Sequence, residues 1–149
     1  MKKKKSYTGV FLLLLVCVQF LGGCAMRQNS DKAEDLEFTV TRMQELPKTL
    51  QEQIEQKKEE AFTLTYSDNE YLYIARGYGI QETGGYSISV DACYRTENTI
   101  DVKTTLHGPQ AGEKVEKAPS CPFVVIKMEL RSEPVRVTGC PEQNNLKYL

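Results

Sequence analysis

YSISVDACY, residues 86–94, and TIDVKTTL, residues 99–106, decide the reading of this chain. In the first stretch Tyr86, Ile88, Val90, Ala92 and Tyr94 alternate with Ser87, Ser89, Asp91 and Cys93. In the second, Ile100, Val102, Thr104 and Leu106 alternate with Thr99, Asp101, Lys103 and Thr105. A period of two is the mark of a half-buried strand. Thr96-Glu97-Asn98 supplies a three-residue loop, with Asn98 able to take a positive φ. The resulting register sets Tyr94 opposite Ile100, Ala92 opposite Val102 and Ile88 opposite Leu106, which gathers every apolar side chain onto one face.

The same period extends in both directions. Phe62–Tyr66 and Tyr71–Ala75 read as strands around a turn at Asp68-Asn69. Phe123–Leu130 reads as a more buried strand whose Val124, Ile126, Met128 and Leu130 form one apolar face. Pro134–Thr138 reads as a last strand, folded back on it through a turn at Arg131–Glu133. Upstream, Leu36, Phe38 and Val40 alternate over Leu36–Thr41. Between that strand and Phe62 the period changes to that of a helix, about Pro47 to Glu60. Pro47 suits the first turn, where no backbone donor is needed. Leu46, Leu50, Ile54 and Ala61 make its narrow apolar stripe, and the Gln, Glu and Lys residues are a solvated face. The expected fold is mainly β: an antiparallel β-sandwich or curled sheet with one α-helix near the start of the folded part, an α+β arrangement.

The first residues have a different character. Lys2, Lys3, Lys4 and Lys5 precede an apolar run from Val10 to Leu21, and Leu21-Gly22-Gly23-Cys24 closes it. A positive start, a short apolar stretch and small residues at a cleavage site describe a signal peptide. The run is shorter than the roughly 20 residues a spanning helix needs. The expected divisions are 1–23 leader, 24–35 modified cysteine and polar tether, 36–140 β-rich domain and 141–149 tail.

Of 19 Lys and Arg against 20 Asp and Glu, the leader holds four lysines and no acid, so 15 face 20 beyond it, a net side-chain charge of −5. That disfavours nucleic acid, which calls for clustered cations. Cys93, Cys121 and Cys140 lie beyond the leader and Cys24. Three is an odd number, so at most one intrachain pair forms. A hairpin centred near Ser132 would bring Cys140 close to the level of Cys121, within about two or three residues; spacing alone does not choose that pair over a bond to Cys93. No two of these cysteines show the tight spacing of a zinc site and His107 is the one histidine, so no metal and no cofactor are expected.

Function reads most clearly in Arg76-Gly77-Tyr78-Gly79 and Thr83-Gly84-Gly85-Tyr86. Continuing the hairpin register puts Tyr86 opposite Gly108, so the Thr-Gly-Gly turn lies beside His107-Gly108-Pro109. Strands ending at Arg76 and starting after Ser120-Cys121-Pro122 would reach the same end. The candidate partner-binding residues are therefore Tyr78, Thr83, Gly84, Gly85, Tyr86, His107, Gly108 and Pro109, on loops that a rigid sheet holds in place. No P-loop is present, Gly77-Tyr78-Gly79 does not open a helix, and there is no G-x-S-x-G elbow. A Cys–His nucleophile pair would have to use His107, with Cys121 the nearest thiol. No catalytic set results, and the expectation is a non-enzyme.

Two family resemblances bear on these residues. Leu21-Gly22-Gly23-Cys24 resembles the lipobox of bacterial lipoproteins. That implies diacylglycerol on the Cys24 thiol, a chain beginning at Cys24 and location outside the cytoplasmic membrane, with acyl chains adding about 0.8 kcal/mol of anchoring per buried CH₂. YIARGYGIQETGGYSISV, residues 73–90, and APSCPFVVIKM, residues 118–128, resemble the PrcB C-terminal-domain family. Its members carry a Thr-Gly-Gly-Tyr turn into an alternating strand, a second strand, a Gly- and Pro-containing loop (here Pro109 to Gly112) and a Pro-aromatic-Val-Val strand (Pro122 to Val125). The chain departs from many relatives at Glu82, where they have Pro, and at Cys121, where an aromatic is common. The resemblance implies a subunit that binds or stabilises a secreted, subtilisin-like protease, with no catalytic residues of its own. The Thr-Gly-Gly-Tyr loop is also similar to those of chagasin-type protease inhibitors, which implies the alternative of an inhibitor acting through loops at one end of the sheet.

Overall fold

The computed structural model describes residues 33–139. The leader, Cys24, most of the tether, Cys140 and the tail lie outside the described residues.

Among the described residues, eight strands form two four-stranded sheets. β1 is Glu34–Asp35, β2 Thr39–Val40, β3 Ala61–Ser67, β4 Tyr71–Tyr78, β5 Ser87–Arg95, β6 Ile100–His107, β7 Phe123–Glu129 and β8 Val135–Thr138. The central sheet has the order β2-β7-β4-β3 and the outer sheet β1-β5-β6-β8. Helix α1, Lys48–Lys57, lies on the face of the central sheet away from the outer one, after a short 3₁₀ turn at Met43–Glu45. The mainly β, α+β sandwich expected from the alternation is the fold that forms.

The layering follows from which residues are apolar on which face. Leu72, Ile74, Ile126 and Met128 face the outer sheet and meet Cys93, Ile100 and Val102. Tyr73, Ala75 and Val125, one step along the same strands, face α1 and meet Leu46, Leu50 and Ile54. β4 and β7 are thus buried on both sides, as their continuous apolar runs require. Leu50 and Ile54 are fully buried, each contributing about 1.5–3 kcal/mol. Pro47 caps the helix from just outside it, its carbonyl accepting from Leu50 and Gln51 at 3.0 and 3.1 Å.

Five expectations change. Leu36–Thr41 is not one strand: Glu34–Asp35 pair with β5 and Thr39–Val40 with β7, so the chain passes from the outer to the central sheet between them. Ala61 leaves the helical stripe and starts β3. β4 runs on through Gly77 and Tyr78 instead of ending at Arg76, and the Phe62 ring fills the space where a Cβ on Gly77 would stand, 2.1 Å from it.

The hairpin register holds at its open end, with Ile88 opposite Leu106, but shifts by one between Val90 and Ala92. Cys93 then faces Val102, and Tyr94 faces Asp101. A β-bulge adds one residue to a strand and turns the residues beyond it to the opposite face. Cys93, not Ala92 or Tyr94, is therefore the core residue.

The fifth correction concerns β8. It makes no hairpin with β7; it crosses to the outer sheet and runs parallel to β6, pairing Ile100 with Val135 and Lys103 with Thr138. Ile100 N–H bonds the Pro134 carbonyl at 2.9 Å, which starts this ladder. The geometric basis for a Cys121–Cys140 bond is thereby lost. Cys121 and Cys93 carry free thiols, and Cys140 lies outside the described residues.

Candidate functional site

β4 and β7 are antiparallel, with Gly77 opposite Phe123, and the Tyr78 N–H bonds the Pro122 carbonyl at 3.1 Å. The end of β4 and the start of β7 are therefore level. β5 and β6 pair Ser87 with His107 at their open end. The segments 79–86 and 108–122 leave from these strand ends and meet each other.

Backbone hydrogen bonds lock the meeting. Gln81 and Ser120 exchange bonds of 2.8 and 3.0 Å, and the Gly84 N–H bonds the Glu116 carbonyl at 2.9 Å. The Ser120 hydroxyl donates to the Thr83 carbonyl at 2.7 Å, and the Gln81 amide donates to the Tyr78 carbonyl at 3.1 Å. Gly85 takes φ 85°, and a Cβ there would stand 2.4 Å from Val115 Cγ1 and 3.3 Å from Pro109. Only glycine meets both requirements. The Thr83-Gly84-Gly85 turn thus lies against the loop that leaves Gly108-Pro109, as the register arithmetic requires.

Thr83, Gly84, Gly85, Tyr86, Gly108 and Pro109 share this rim, and Gly85 is exposed. Tyr78 does not join it. Its hydroxyl crosses to the outer sheet, 3.1 Å from the Thr104 carbonyl and 2.8 Å from the Thr104 hydroxyl. A ring placed between two sheets is a structural tie, not a contact offered to solvent. Ile80, which the glycine motifs overshadowed, is 55 % exposed at the same rim. Its signal in the sequence is an aliphatic residue directly after Gly77-Tyr78-Gly79, where a buried turn has no use for one.

His107 lies at the strand end, with its ring Nε2 2.9 Å from the Ser89 hydroxyl on the solvent face of the outer sheet. Ser89 donates to Asp91 at 2.5 Å and Thr105 donates to the other Asp91 oxygen at 2.6 Å. These two hydroxyls hold the Asp91 carboxyl below the usual carboxylate range. The order matters. With its proton given to Asp91, Ser89 accepts from His107, so Nε2 carries the hydrogen. A nucleophilic serine needs the reverse, an unprotonated imidazole nitrogen facing the hydroxyl.

Among the described residues no group of three His, Cys, Asp or Glu could hold a metal ion. An open groove of about 530 Å³, lined by Leu36, Phe38, Tyr71 and Met128 among others, lies at the pole where β4 begins, away from the rim.

Residues 72–129 match the family model described as PrcB C-terminal. They span β4 to β7 and contain the entire rim. This segment is similar to the PrcB C-terminal family. Neither a curated protein nor a solved structure matches the chain. β1, β2, α1, β3 and β8 fall outside the matched residues, while β4 and β7, buried on both faces, and β5 and β6, which complete the rim, fall within them.

Proposed function

We propose that this chain is a lipid-anchored, extracytoplasmic subunit that binds and stabilises a secreted, subtilisin-like protease through its loop rim. The family match supports association with a protease complex. The signal-like leader and the Leu21-Gly22-Gly23-Cys24 motif support anchoring through Cys24 to the bacterial cell membrane.

The observation that carries the reading is the polarity of the domain. β1 pairs Glu34 with Arg95, beside the β5–β6 turn, whereas the rim sits at the Ser87–His107 end of the same strands. Strand rise of about 3.3 Å per residue sets these ends roughly 25 Å apart. The described chain thus enters the domain at the pole away from the rim, which supports a rim left free for a partner.

Crosslinking on intact cells, followed by identification of the captured protein, tests this. A secreted protease should be recovered with wild-type chain and lost with Ile80→Asp or Gly84→Glu. Recovery of only cell-wall enzymes overturns the protease assignment. The projection of an exposed aliphatic and a glycine turn from one end of a sandwich also suits an inhibitor of the chagasin type. Stoichiometric loss of the captured protease's activity would favour that reading over a stabilising subunit.

A further inference from the structure

A four-stranded sheet has two edges, and among the described residues three of the four edges are short. β1 and β2 have two residues each, and β8 has four residues and comes directly after Pro134. β3 is the exception: Ala61-Phe62-Thr63-Leu64-Thr65-Tyr66-Ser67 is a seven-residue edge strand without Lys, Pro or a bulge. Those are the devices that keep an edge from pairing.

The hydrogen-bond pattern shows which backbone groups face outward. The Asp68 N–H bonds the Tyr71 carbonyl at 3.0 Å. In an antiparallel ladder bonded pairs recur every second residue, so Tyr66/Tyr73, Leu64/Ala75 and Phe62/Gly77 are the bonded pairs of β3 and β4. On the other side of β4, Leu130 N–H to the Glu70 carbonyl at 2.9 Å fixes the opposite parity. Leu72, Ile74 and Arg76 of β4 therefore bond β7, as the alternation demands. It follows that the N–H and C=O of Thr63, Thr65 and Ser67 point away from the sheet.

The pattern of β3 also identifies what fits there. Read from either end about Leu64, it runs small, aromatic, Thr, Leu, Thr, aromatic, small. Antiparallel pairing of β3 with another β3 about a two-fold axis at Leu64 sets each residue against its own kind: Ala61 with Ser67, Phe62 with Tyr66, Thr63 with Thr65, and Leu64 with Leu64. Thr–Thr and aromatic pairs are favourable across strands, and no charge opposes another within the strand. Just beyond it, Glu60 comes level with Asp68 of the second copy and Lys58 with Glu70. The first repels and the second attracts, and the Asp68 carboxylate is already turned inward onto the Glu70 and Tyr71 N–H groups at 2.9 and 2.7 Å.

We propose that β3 is a self-association edge, at which two copies of this chain join their central sheets into one eight-stranded sheet through Thr63 and Thr65. The contact is isologous, since the same patch serves both copies. It is independent of the loop rim.

The test uses the full chain in density-matched detergent. Sedimentation equilibrium across a dilution series should show the mass doubling with concentration. Thr65→Pro removes an outward N–H and no bond to β4, so it should keep the native circular dichroism and weaken association more than about tenfold. Leu64→Cys should give a disulfide-linked dimer on mild oxidation in excess of wild-type chain, because like residues at the axis are adjacent. A monomeric chain at every concentration overturns the proposal. So does a Leu64→Cys crosslink that captures a different polypeptide, and so does unchanged association in Thr65→Pro.

Discussion

The Tyr78 hydroxyl bonds the carbonyl and the hydroxyl of Thr104, at 3.1 and 2.8 Å, and so ties the end of β4 to the middle of β6 across the sandwich. Gly139 completes the junction, since a Cβ there would meet the Thr104 carbonyl at 2.3 Å and the Tyr78 hydroxyl at 2.5 Å. Tyr78→Phe should lower stability by about 0.5–1.5 kcal/mol, the net worth of such bonds. Partner capture should not change. Chemical denaturation and crosslinking of the same preparation check both halves.

The two glycines of the rim turn should separate cleanly. A Cβ on Gly84 would make ordinary contact with Glu116 Cβ at 3.4 Å, whereas Gly85 has φ 85° and Val115 at 2.4 Å. Gly84→Ala should be tolerated within about 0.5 kcal/mol. Gly85→Ala should cost more than about 1 kcal/mol, because it combines strain with a clash. Thermal melts of the two variants decide it.

Ile80 offers a surface change with no fold to lose. Its side chain is 55 % exposed, so Ile80→Asp should leave the melting temperature within about 2 °C. Partner recovery on cells should fall at least about tenfold, the loss of an apolar anchor.

The two described thiols should differ in reactivity. Burial pushes the Cys93 thiol up to about 11, and the thiolate is the reactive form. Cys121 is half-buried. Iodoacetamide at pH 8 followed by peptide mass spectrometry should find Cys121 modified well before Cys93, and Cys93 only after unfolding. The raised value also has a sign. Its contribution to stability is whole below the unfolded thiol's value near 8.5 and is lost as pH rises through about 11.

Asp101 should shape the acid limb. The Arg136 guanidinium, with help from the Thr99 hydroxyl at 2.6 Å, holds its carboxyl below the usual carboxylate range although it is 4 % exposed. A depressed value stabilises the fold above the unfolded carboxylate range, near 3.9, and that stabilisation disappears as pH falls through the folded value. Asp101→Asn should cost about 1–3 kcal/mol at neutral pH and flatten the stability curve below about pH 4. Denaturant titrations at several pH values measure it.

What the sequence disclosed was local pairing. The open end of the β5–β6 hairpin and the meeting of Thr83-Gly84-Gly85 with Gly108-Pro109 come from counting residues on adjacent strands. The bulge at Asp91 was hidden because Ala92, Cys93 and Tyr94 are all apolar enough to face a core, so alternation there has two solutions. β8 was misplaced because sequential strands usually neighbour one another, and nothing in Arg131–Glu133 announces a change of sheet. Tyr78 was misjudged because Gly77 and Gly79 on either side of it suggest a loop. Gly77 instead makes room for Phe62, a fact that needs a residue on the neighbouring strand. The Ser120–Thr83 bond likewise joins positions that no short window contains.

β7 lies between β2 and β4, yet nearly all of the chain precedes it. Hairpins β3–β4 and β5–β6 can zip as soon as they exist, but β2 has nothing to pair with until Lys127 and Ile126 arrive. A nascent chain lacking β7 leaves one edge of β4 unpaired and the core without Ile126 and Met128, so the two halves of the sandwich cannot seal. Placing the keystone strand so late keeps the sandwich from closing until most of the chain has been made.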